Sequence, residues 1–236
     1  MIKNGFCRSR SEPTLYTKVN QHGKILIICL YVDDMVFTGD LSVEEFKLAI
    51  KKEFEITDLG LMKYFLGIEI EQSEKGIFIC QNKYAKDVLK RFMMVNCKST
   101  PTPVATGTKL SKEDQGSNID PTLYKRDVGS LMYLTATRPD IMYVVSLISR
   151  FMESPKDSHW KVGKRILRYI TRMTSCGILY SSTKSKVLVG YTDSDFARIL
   201  DERKNTSSYV FHLGSGMISW EYKKKHIVTI SLIESE

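Results

Sequence analysis

The sequence has few of the features that mark an exported, membrane-spanning or zinc-binding protein. Its five cysteines include no Cys-x-x-Cys pair and no neighbouring histidine at zinc-ligand spacing. No apolar run approaches the roughly 18 residues that a membrane span needs, and the N-terminus lacks the basic-then-apolar order of a signal peptide. We therefore expect a protein without membrane segment or signal peptide, kept reduced inside the cell, in the cytoplasm or the nucleus.

Several enzyme signatures are also missing. The four histidines form no His-Glu-x-x-His motif, and the chain has neither a Walker loop nor a Gly-x-Gly-x-x-Gly fingerprint. The Gly-Ser-Gly at 214–216 lacks the pattern of a nucleophile elbow and is better interpreted as a hairpin turn. These absences argue against a zinc protease, a P-loop nucleotidase, a dinucleotide-dependent enzyme and an α/β-hydrolase.

Positive charge is present in excess and is unevenly distributed. The chain has 35 Lys+Arg against 27 Asp+Glu, a formal net charge of +8 and a pI near 9.1. Residues 1–100 contribute +2 of that charge and residues 101–236 contribute +6. Such an excess favours an anionic partner such as nucleic acid, bound mainly by the second half, although many basic proteins bind none.

Hydrophobic periodicity predicts an α+β protein of 236 residues. The Pro- and Gly-containing stretch at 99–119 is the best linker, and it divides the chain into 1–98, the linker, 120–175 and 176–236. Ser42 is the expected N-cap of the first helix, and three prolines are expected to begin later helices. We predict hairpins at 24–38 and 64–81, helices at 42–54, 82–94, 121–136, 139–152 and 156–173, and strands at 177–181, 186–193, 208–213, 217–222 and 226–231.

The Tyr-Val-Asp-Asp segment at 31–34 places two adjacent carboxylates at the turn of the first hairpin. Both strands are apolar and are expected to be buried, and burial of an ionised carboxylate without a partner costs several kcal/mol. A bound divalent cation would offset that cost, since polymerases hold two magnesium ions with carboxylates. The alternative is a solvated Asp-Asp turn without metal, because aspartate is common in turns.

The helix at 156–173 has one basic and one apolar side. A basic stripe of this kind could neutralise the phosphates of a template–primer duplex, and the alternative is an ordinary solvated face. The basic face consists of Lys161, Lys164, Arg165, Arg168 and Arg172.

Seven stretches in order resemble the Pol polyproteins of copia-type retrotransposons of the plant kind, over nearly the whole chain. Besides Tyr-Val-Asp-Asp they include DLGLMKYFLGIEI at 58–70, VGSLMYLTATRPDIMYVVSLISRFM at 128–152 and GYTDSDFA at 190–197. The resemblance implies a partial polymerase palm with a helical connection, followed by a partial ribonuclease H-like mixed sheet. It departs from the family where Phe-Ala-Arg-Ile at 196–199 replaces the usual Trp-Ala-Gly-Asp.

The resemblance also implies roles for individual residues. Asp33 and Asp34 would bind Mg²⁺ and Tyr31 would contact nucleic acid, while Asp193 and Glu236 match metal ligands of ribonuclease H. The remaining match is to the primer-grip hairpin, whose alternative interpretation is a buried hairpin that packs the core. The residues of that primer-grip match are Tyr64, Phe65, Leu66 and Gly67.

The intact relative would act on an RNA/DNA template–primer duplex and on deoxynucleoside triphosphates. In the family a third carboxylate comes from a strand well upstream of the hairpin, so we expect this chain alone to be inactive in primer extension and hybrid cleavage. A second hypothesis is a non-catalytic remnant that binds nucleic acid through the basic face. A third is a product that does not fold stably because apolar strands lack a cover.

Overall fold

The structure, a computed structural model, describes residues 2–182, 187–195 and 206–224. The chain folds as two units, Met1–Met62 and Lys63–Glu236, and each contains its own hydrophobic cluster. All strand pairs in the described ranges are antiparallel. Helices and antiparallel sheets together confirm the expectation of an α+β protein.

In the first unit, one helix packs on one face of a four-stranded sheet. Ser42 begins the helix as predicted, since its hydroxyl accepts a hydrogen bond from the Glu45 amide at 3.4 Å. Phe46 and Ile50 of the helix pack on buried apolar side chains of the sheet. The elements are a 3-10 helix (Ile2–Asn4), β1 (Cys7–Arg8), β2 (Leu15–Val19), β3 (Ile25–Tyr31), β4 (Asp34–Gly39) and α1 (Val43–Glu53), with the strands in chain order across the sheet.

The second unit combines two antiparallel sheets with a layer of helices. The first sheet has the order β5-β6-β7-β8 and the second the order β11-β10-β9. The strands are β5 (Tyr64–Phe65), β6 (Ile68–Ser73), β7 (Gly76–Cys80), β8 (Gly177–Ser181), β9 (Leu188–Asp195), β10 (Thr206–Leu213) and β11 (Gly216–Lys224). The helices are α2 (Asn82–Arg91), α3 (Pro121–Leu134), a 3-10 helix (Pro139–Ile141), α4 (Met142–Ser149) and α5 (Asp157–Arg172).

Apolar residues at three-to-four spacing bury one face of each helix in the core of the second unit. Asp120 caps α3 through the Thr122 amide at 2.7 Å, and Pro121 occupies the first helical position. Among the described residues, no helix is both long and apolar enough to cross a bilayer. Fully buried members of this core include Val128, Leu131, Ile141, Ile148, Ile166, Leu167 and Ile170.

Two arrangements depend on contacts between distant parts of the sequence. Strand β8 pairs with β7, so that Leu179 lies opposite Phe78 in the first sheet. The segment predicted as a linker packs on α5: the Thr100 amide donates to the Arg168 carbonyl at 3.2 Å. The assignment of 1–98, 99–119, 120–175 and 176–236 to separate functions stays a prediction.

The predicted helices and strands in the described ranges are confirmed, with shifts at their ends. Helix α2 ends at Arg91, three residues earlier than predicted, because Met93 has a φ of +54°. The Met94 amide then donates to the Leu89 carbonyl at 2.8 Å, the hydrogen bond that closes a Schellman motif. The strand predicted at 226–231 lies outside the described residues.

Candidate functional site

Asp33 and Asp34 lie where β3 turns into β4. Tyr31 and Asp34 form the last cross-strand pair, so Val32 and Asp33 are the two central residues of the turn. Val32 has a φ of +50°, the sign that tight hairpin turns require at their first central position. A β-branched residue is strained in that conformation, by about 1–3 kcal/mol. The acids are therefore presented on a turn that is held in an uncommon backbone conformation.

The two faces of this sheet differ in what covers them. Leu26 and Ile28 are buried in the cluster formed with α1. Because side chains alternate along a strand, Cys29, Tyr31 and their cross-strand neighbours point to the opposite face. Asp34 pairs with Tyr31 and so lies on that opposite face, where the Tyr31 side chain is 48% exposed.

Both carboxylates are exposed. The expectation that both strands of the hairpin are buried is wrong at this end, because α1 covers only one face of the sheet. Because the two carboxylates are solvated, their charge does not require a bound cation. The argument for a metal here is that carboxylate oxygens are the ligands that Mg²⁺ prefers. Within the described ranges, no group of three or more His, Cys, Asp or Glu side chains could hold a metal ion. Asp33 and Asp34 thus offer a pair of oxygen donors.

The segment at 64–67 forms a second two-residue hairpin. Phe65 pairs with Ile68, and the turn residues Leu66 and Gly67 have φ values of +46° and +76°. Tyr64 is 54% exposed and Leu66 is 40% exposed, whereas Phe65 is half-buried. Most of this turn is therefore accessible to a ligand, and the alternative of a fully buried hairpin does not hold.

Two members of the basic face of α5 are engaged within the protein. Arg165 Nη2 donates to Thr102 Oγ1 at 3.0 Å, and Arg168 Nε donates to the Lys98 carbonyl at 2.7 Å. Both side chains are half-buried. These two arginines hold the 98–102 segment on the helix, a structural role that the helical projection of the sequence did not predict.

The other three members of the basic face are exposed. Lys161 forms an ion pair with Asp157 at 2.9 Å, and Lys164 Nζ lies 5.9 Å from the centroid of the Trp160 ring. Arg172 is exposed at the end of the helix. The surface charge that α5 offers to a polyanion therefore comes from Lys161, Lys164 and Arg172.

Asp193 lies on β9, which is an edge strand in the described part of the second sheet. It is exposed and pairs with Ser208 of β10, which in turn pairs with Tyr222 of β11. These three residues share one sheet face, and the Tyr222 ring meets the Tyr143 ring of α4 edge-on, 4.8 Å away between centroids. Glu236, the other predicted ligand of this site, lies outside the described residues.

The Arg-Pro-Asp segment in the family-like stretch at 128–152 forms an ion pair in which the arginine is buried and the Asp140 side chain is 35% exposed. Arg138 is 4% exposed and donates two hydrogen bonds to the Asp140 carboxylate, at 2.8 and 2.7 Å. Tyr169 adds a third at 2.9 Å. Burial by itself would raise the pKa of Asp140, but Arg138 and the Tyr169 hydroxyl outweigh it and hold that pKa below its ordinary value. We therefore interpret Arg138 and Asp140 as residues that stabilise the fold.

Similarity to known proteins covers the whole chain. Residues 1–106 match the family model described as reverse transcriptase (RNA-dependent DNA polymerase). The retrovirus-related Pol polyprotein from transposon TNT 1-94 of Nicotiana tabacum is 37% identical over 247 residues, which is 100% of this chain and 18% of that protein. The corresponding polyprotein from transposon RE1 of Arabidopsis thaliana is 38% identical over 239 residues, again 100% of this chain and 16% of that protein.

A shorter relative matches over most of its own length. The putative transposon Ty5-1 protein of Saccharomyces cerevisiae is 32% identical over 239 residues, 99% of this chain and 77% of that protein. No solved structure matches the chain. This chain spans less than a fifth of the two Pol polyproteins. With the reverse transcriptase match over the hairpin that carries Asp33 and Asp34, these similarities show that the chain belongs to the Pol polyproteins of copia-type retrotransposons.

Proposed function

We propose that this chain carries the part of an RNA-directed DNA polymerase that holds magnesium through Asp33 and Asp34. The observation that supports this most directly is the pair of adjacent, exposed carboxylates on a strained two-residue turn. When bound there, two Mg²⁺ ions would activate a primer 3′ hydroxyl and neutralise charge on the leaving pyrophosphate. The exposed Tyr31 ring, on the same face as Asp34, would contact the primer terminus.

The proposed substrates in the intact relative are deoxynucleoside triphosphates and an RNA/DNA template–primer duplex. The exposed turn at 64–67 would grip the primer backbone, because a glycine lets another backbone approach closely. Asp193, with Glu236, would bind magnesium in a ribonuclease H-like site. Its exposure on an edge strand leaves its oxygens accessible, which is compatible with that role.

Manganese can test the hairpin site directly, since it binds to oxygen ligands that suit magnesium and its unpaired electrons broaden nearby NMR signals. We expect Mn²⁺ to broaden the amide signals at 32–35 in the whole chain, and a double Asp33→Asn, Asp34→Asn variant to lose the effect. A matched control is the double Glu44→Gln, Glu45→Gln variant, which removes adjacent exposed carboxylates from α1. Broadening that persists without Asp33 and Asp34 would contradict the proposal.

Catalysis gives a second test of the same residues. Any magnesium-dependent primer extension by the chain should disappear with Asp33→Asn and remain with Glu45→Gln. Any cleavage of an RNA/DNA hybrid should disappear with Asp193→Asn. Extension that survives Asp33→Asn would show that this carboxylate is not a metal ligand in the reaction.

The charge distribution on α5 supports a second candidate, a non-catalytic module that binds nucleic acid. Helix α5 buries Ile166, Leu167 and Ile170 and presents Lys164 and Arg172 to solvent. Exposed cations on one side of a helix can replace the counterions of phosphates, so that binding weakens as salt concentration rises. Lys164 and Arg172 would contact nucleic acid in either candidate. In the enzyme a magnesium-dependent reaction follows binding, whereas the module binds and catalyses nothing.

The structure sharpens the choice of variants for this candidate. A triple change of Lys164, Arg165 and Arg168 would also release the 98–102 segment. We therefore compare a double variant, which combines Lys164→Ala and Arg172→Ala, with the single variant Arg165→Ala. The double variant should reduce the slope of log affinity against log salt by up to about two, and Arg165→Ala should change stability more than the slope. An unchanged slope in the double variant would exclude these two contacts.

A further inference from the structure

A tyrosine of α3 contacts the turn at 64–67 from outside its own hairpin. The Tyr133 hydroxyl donates a hydrogen bond to the Leu66 carbonyl. Leu66 is the first central residue of the turn, and the next ladder pair is Phe65 with Ile68. The hydroxyl therefore binds the tip of the turn, at the residues that the proposed function assigns to the primer.

Gly67 makes this contact sterically feasible. A Cβ atom at Gly67 would lie 2.8 Å from the Tyr133 hydroxyl oxygen and 3.2 Å from a ring carbon. Its φ of +76° is also one that glycine adopts without strain. The glycine thus gives the turn its shape and leaves room for the tyrosine.

The orientation of Tyr133 is itself set by two neighbours. The Tyr84 ring meets the Tyr133 ring edge-on, with centroids 4.9 Å apart. The buried Gln81 side chain donates to the Tyr133 carbonyl at 3.2 Å. Gln81 follows strand β7 directly and Tyr84 lies in the first turn of α2, so the chain that leaves this sheet also contacts the tyrosine that binds the turn.

The same end of α3 also binds the second sheet. The Thr135 carbonyl, two residues after Tyr133, accepts a hydrogen bond from Trp220 Nε1 at 3.1 Å. Trp220 pairs with Val210, which pairs with Tyr191, two residues before Asp193 on β9. One short segment therefore links the turn at 64–67 to the sheet that carries Asp193.

We propose that Tyr133 is a positioning residue that holds the 64–67 turn where it can grip a recessed primer 3′ terminus. This inference rests on the proposed function, because it assumes that the turn contacts the primer. Tyr133 acts through the Leu66 carbonyl and does not bind the nucleic acid itself. Its loss should change which primer ends are preferred while leaving the general attraction to the duplex in place.

The test compares two duplexes of equal length by fluorescence anisotropy at one salt concentration: one with a recessed primer 3′ end, the other blunt. The parent should prefer the recessed end, and Tyr133→Phe should reduce that preference by a factor of about two to ten, the effect of one hydrogen bond. Tyr84→Phe is the matched control. It removes a hydroxyl from the same aromatic pair, but that hydroxyl bonds to Ser130 and not to the turn, so its preference should equal the parent's.

A second variant, Gly67→Ala, changes the contact between Tyr133 and the 64–67 turn on the side of the turn. Gly67→Ala should displace the Tyr133 hydroxyl and reduce the preference at least as much as Tyr133→Phe, because the added Cβ also meets the ring and restricts the approach of the primer. If the parent prefers the recessed end and Tyr133→Phe prefers it equally, or weakens both duplexes equally, the positioning role is overturned. If the parent itself shows no preference, the primer-grip role in the proposed function is overturned.

Discussion

Two aspartate-containing segments of this chain differ in the groups that surround their carboxylates. Asp140 accepts hydrogen bonds from Arg138 and Tyr169, and Arg138 also donates to the Met173 carbonyl at 2.8 Å. Asp33 and Asp34 are exposed on a turn with an unfavourable φ. A carboxylate that already accepts hydrogen bonds from other residues of the protein stabilises the fold. A carboxylate that faces solvent on a strained turn can instead bind a ligand.

The largest effect should come from breaking the pair between Arg138 and Asp140. Asp140→Ala leaves the buried Arg138 guanidinium without its carboxylate, and we expect it to lower the free energy of unfolding by about 1.5–3 kcal/mol, the range for hydrogen bonds to a charged group. Tryptophan fluorescence during chemical denaturation measures this, because Trp160 and Trp220 both lie in the second unit.

An exposed pair supplies the control for that prediction. Asp87 lies 3.9 Å from Lys90 on the surface of α2. Asp87→Ala should change the free energy of unfolding by less than about 1 kcal/mol, since exposed pairs contribute little. Equal losses for the two variants would contradict the distinction between an aspartate that pairs with a buried arginine and one that pairs with an exposed lysine.

A third aspartate, Asp127, is expected to make stability depend on pH. Burial raises the pKa of Asp127 above its ordinary value, against the hydrogen bond and charge of Arg126. The folded protein therefore holds this proton more tightly than the unfolded chain, and stability falls as pH rises from about 4 through the raised pKa. Asp127→Asn cannot ionise and should be more stable than the parent at pH 7.

The check on Asp127 is the difference in free energy of unfolding between variant and parent across that pH range. The difference should grow with pH. The contribution of Asp140 to stability depends on pH in the opposite direction: because its pKa is lowered in the folded protein, its stabilising contribution disappears as the solution becomes acidic. A difference for Asp127→Asn that is constant with pH would contradict the assignment.

Strain at the Tyr-Val-Asp-Asp turn should be measurable in a smaller effect. Val32 is 87% exposed, so Val32→Gly removes little packing while it relieves the positive φ. The relief is partly offset by the entropy of an added glycine, which leaves a gain of about 0.5–1 kcal/mol. Amide exchange in β3 and β4 should slow accordingly, whereas Val36→Gly, in extended β4, should accelerate it.

The smallest effect on stability belongs to the proposed metal ligands. The double Asp33→Asn, Asp34→Asn variant should alter the free energy of unfolding by no more than about 0.5 kcal/mol, because both side chains are exposed. The same variant should lose the Mn²⁺ effect described above. A large loss of stability without metal would show that these acids serve the fold, as Asp140 does.

Local features were predictable because local chemistry determines them. Ser42 caps its helix and Pro121 begins α3 as expected, and the acids at 33–34 lie at a hairpin turn between two apolar strands. The burial of those strands was predicted wrongly, since an apolar run does not reveal whether one face or both will be covered. The basic face of α5 was predicted as a whole, but two of its arginines bind the 98–102 segment instead of facing solvent.

Local patterns encode the helices, the hairpins and the family resemblance, since periodicity, caps and motifs act over a few residues. Long-range packing, in contrast, adds β8 to the sheet of the 64–67 hairpin, brings Tyr133 to Leu66 and buries Arg138 beside Asp140. The first two contacts join residues about 70 to 100 positions apart. Arg138 and Asp140 are close in sequence, but the burial of Arg138 and the hydrogen bond from Tyr169 to Asp140 depend on the packing of α5, which no local pattern encodes.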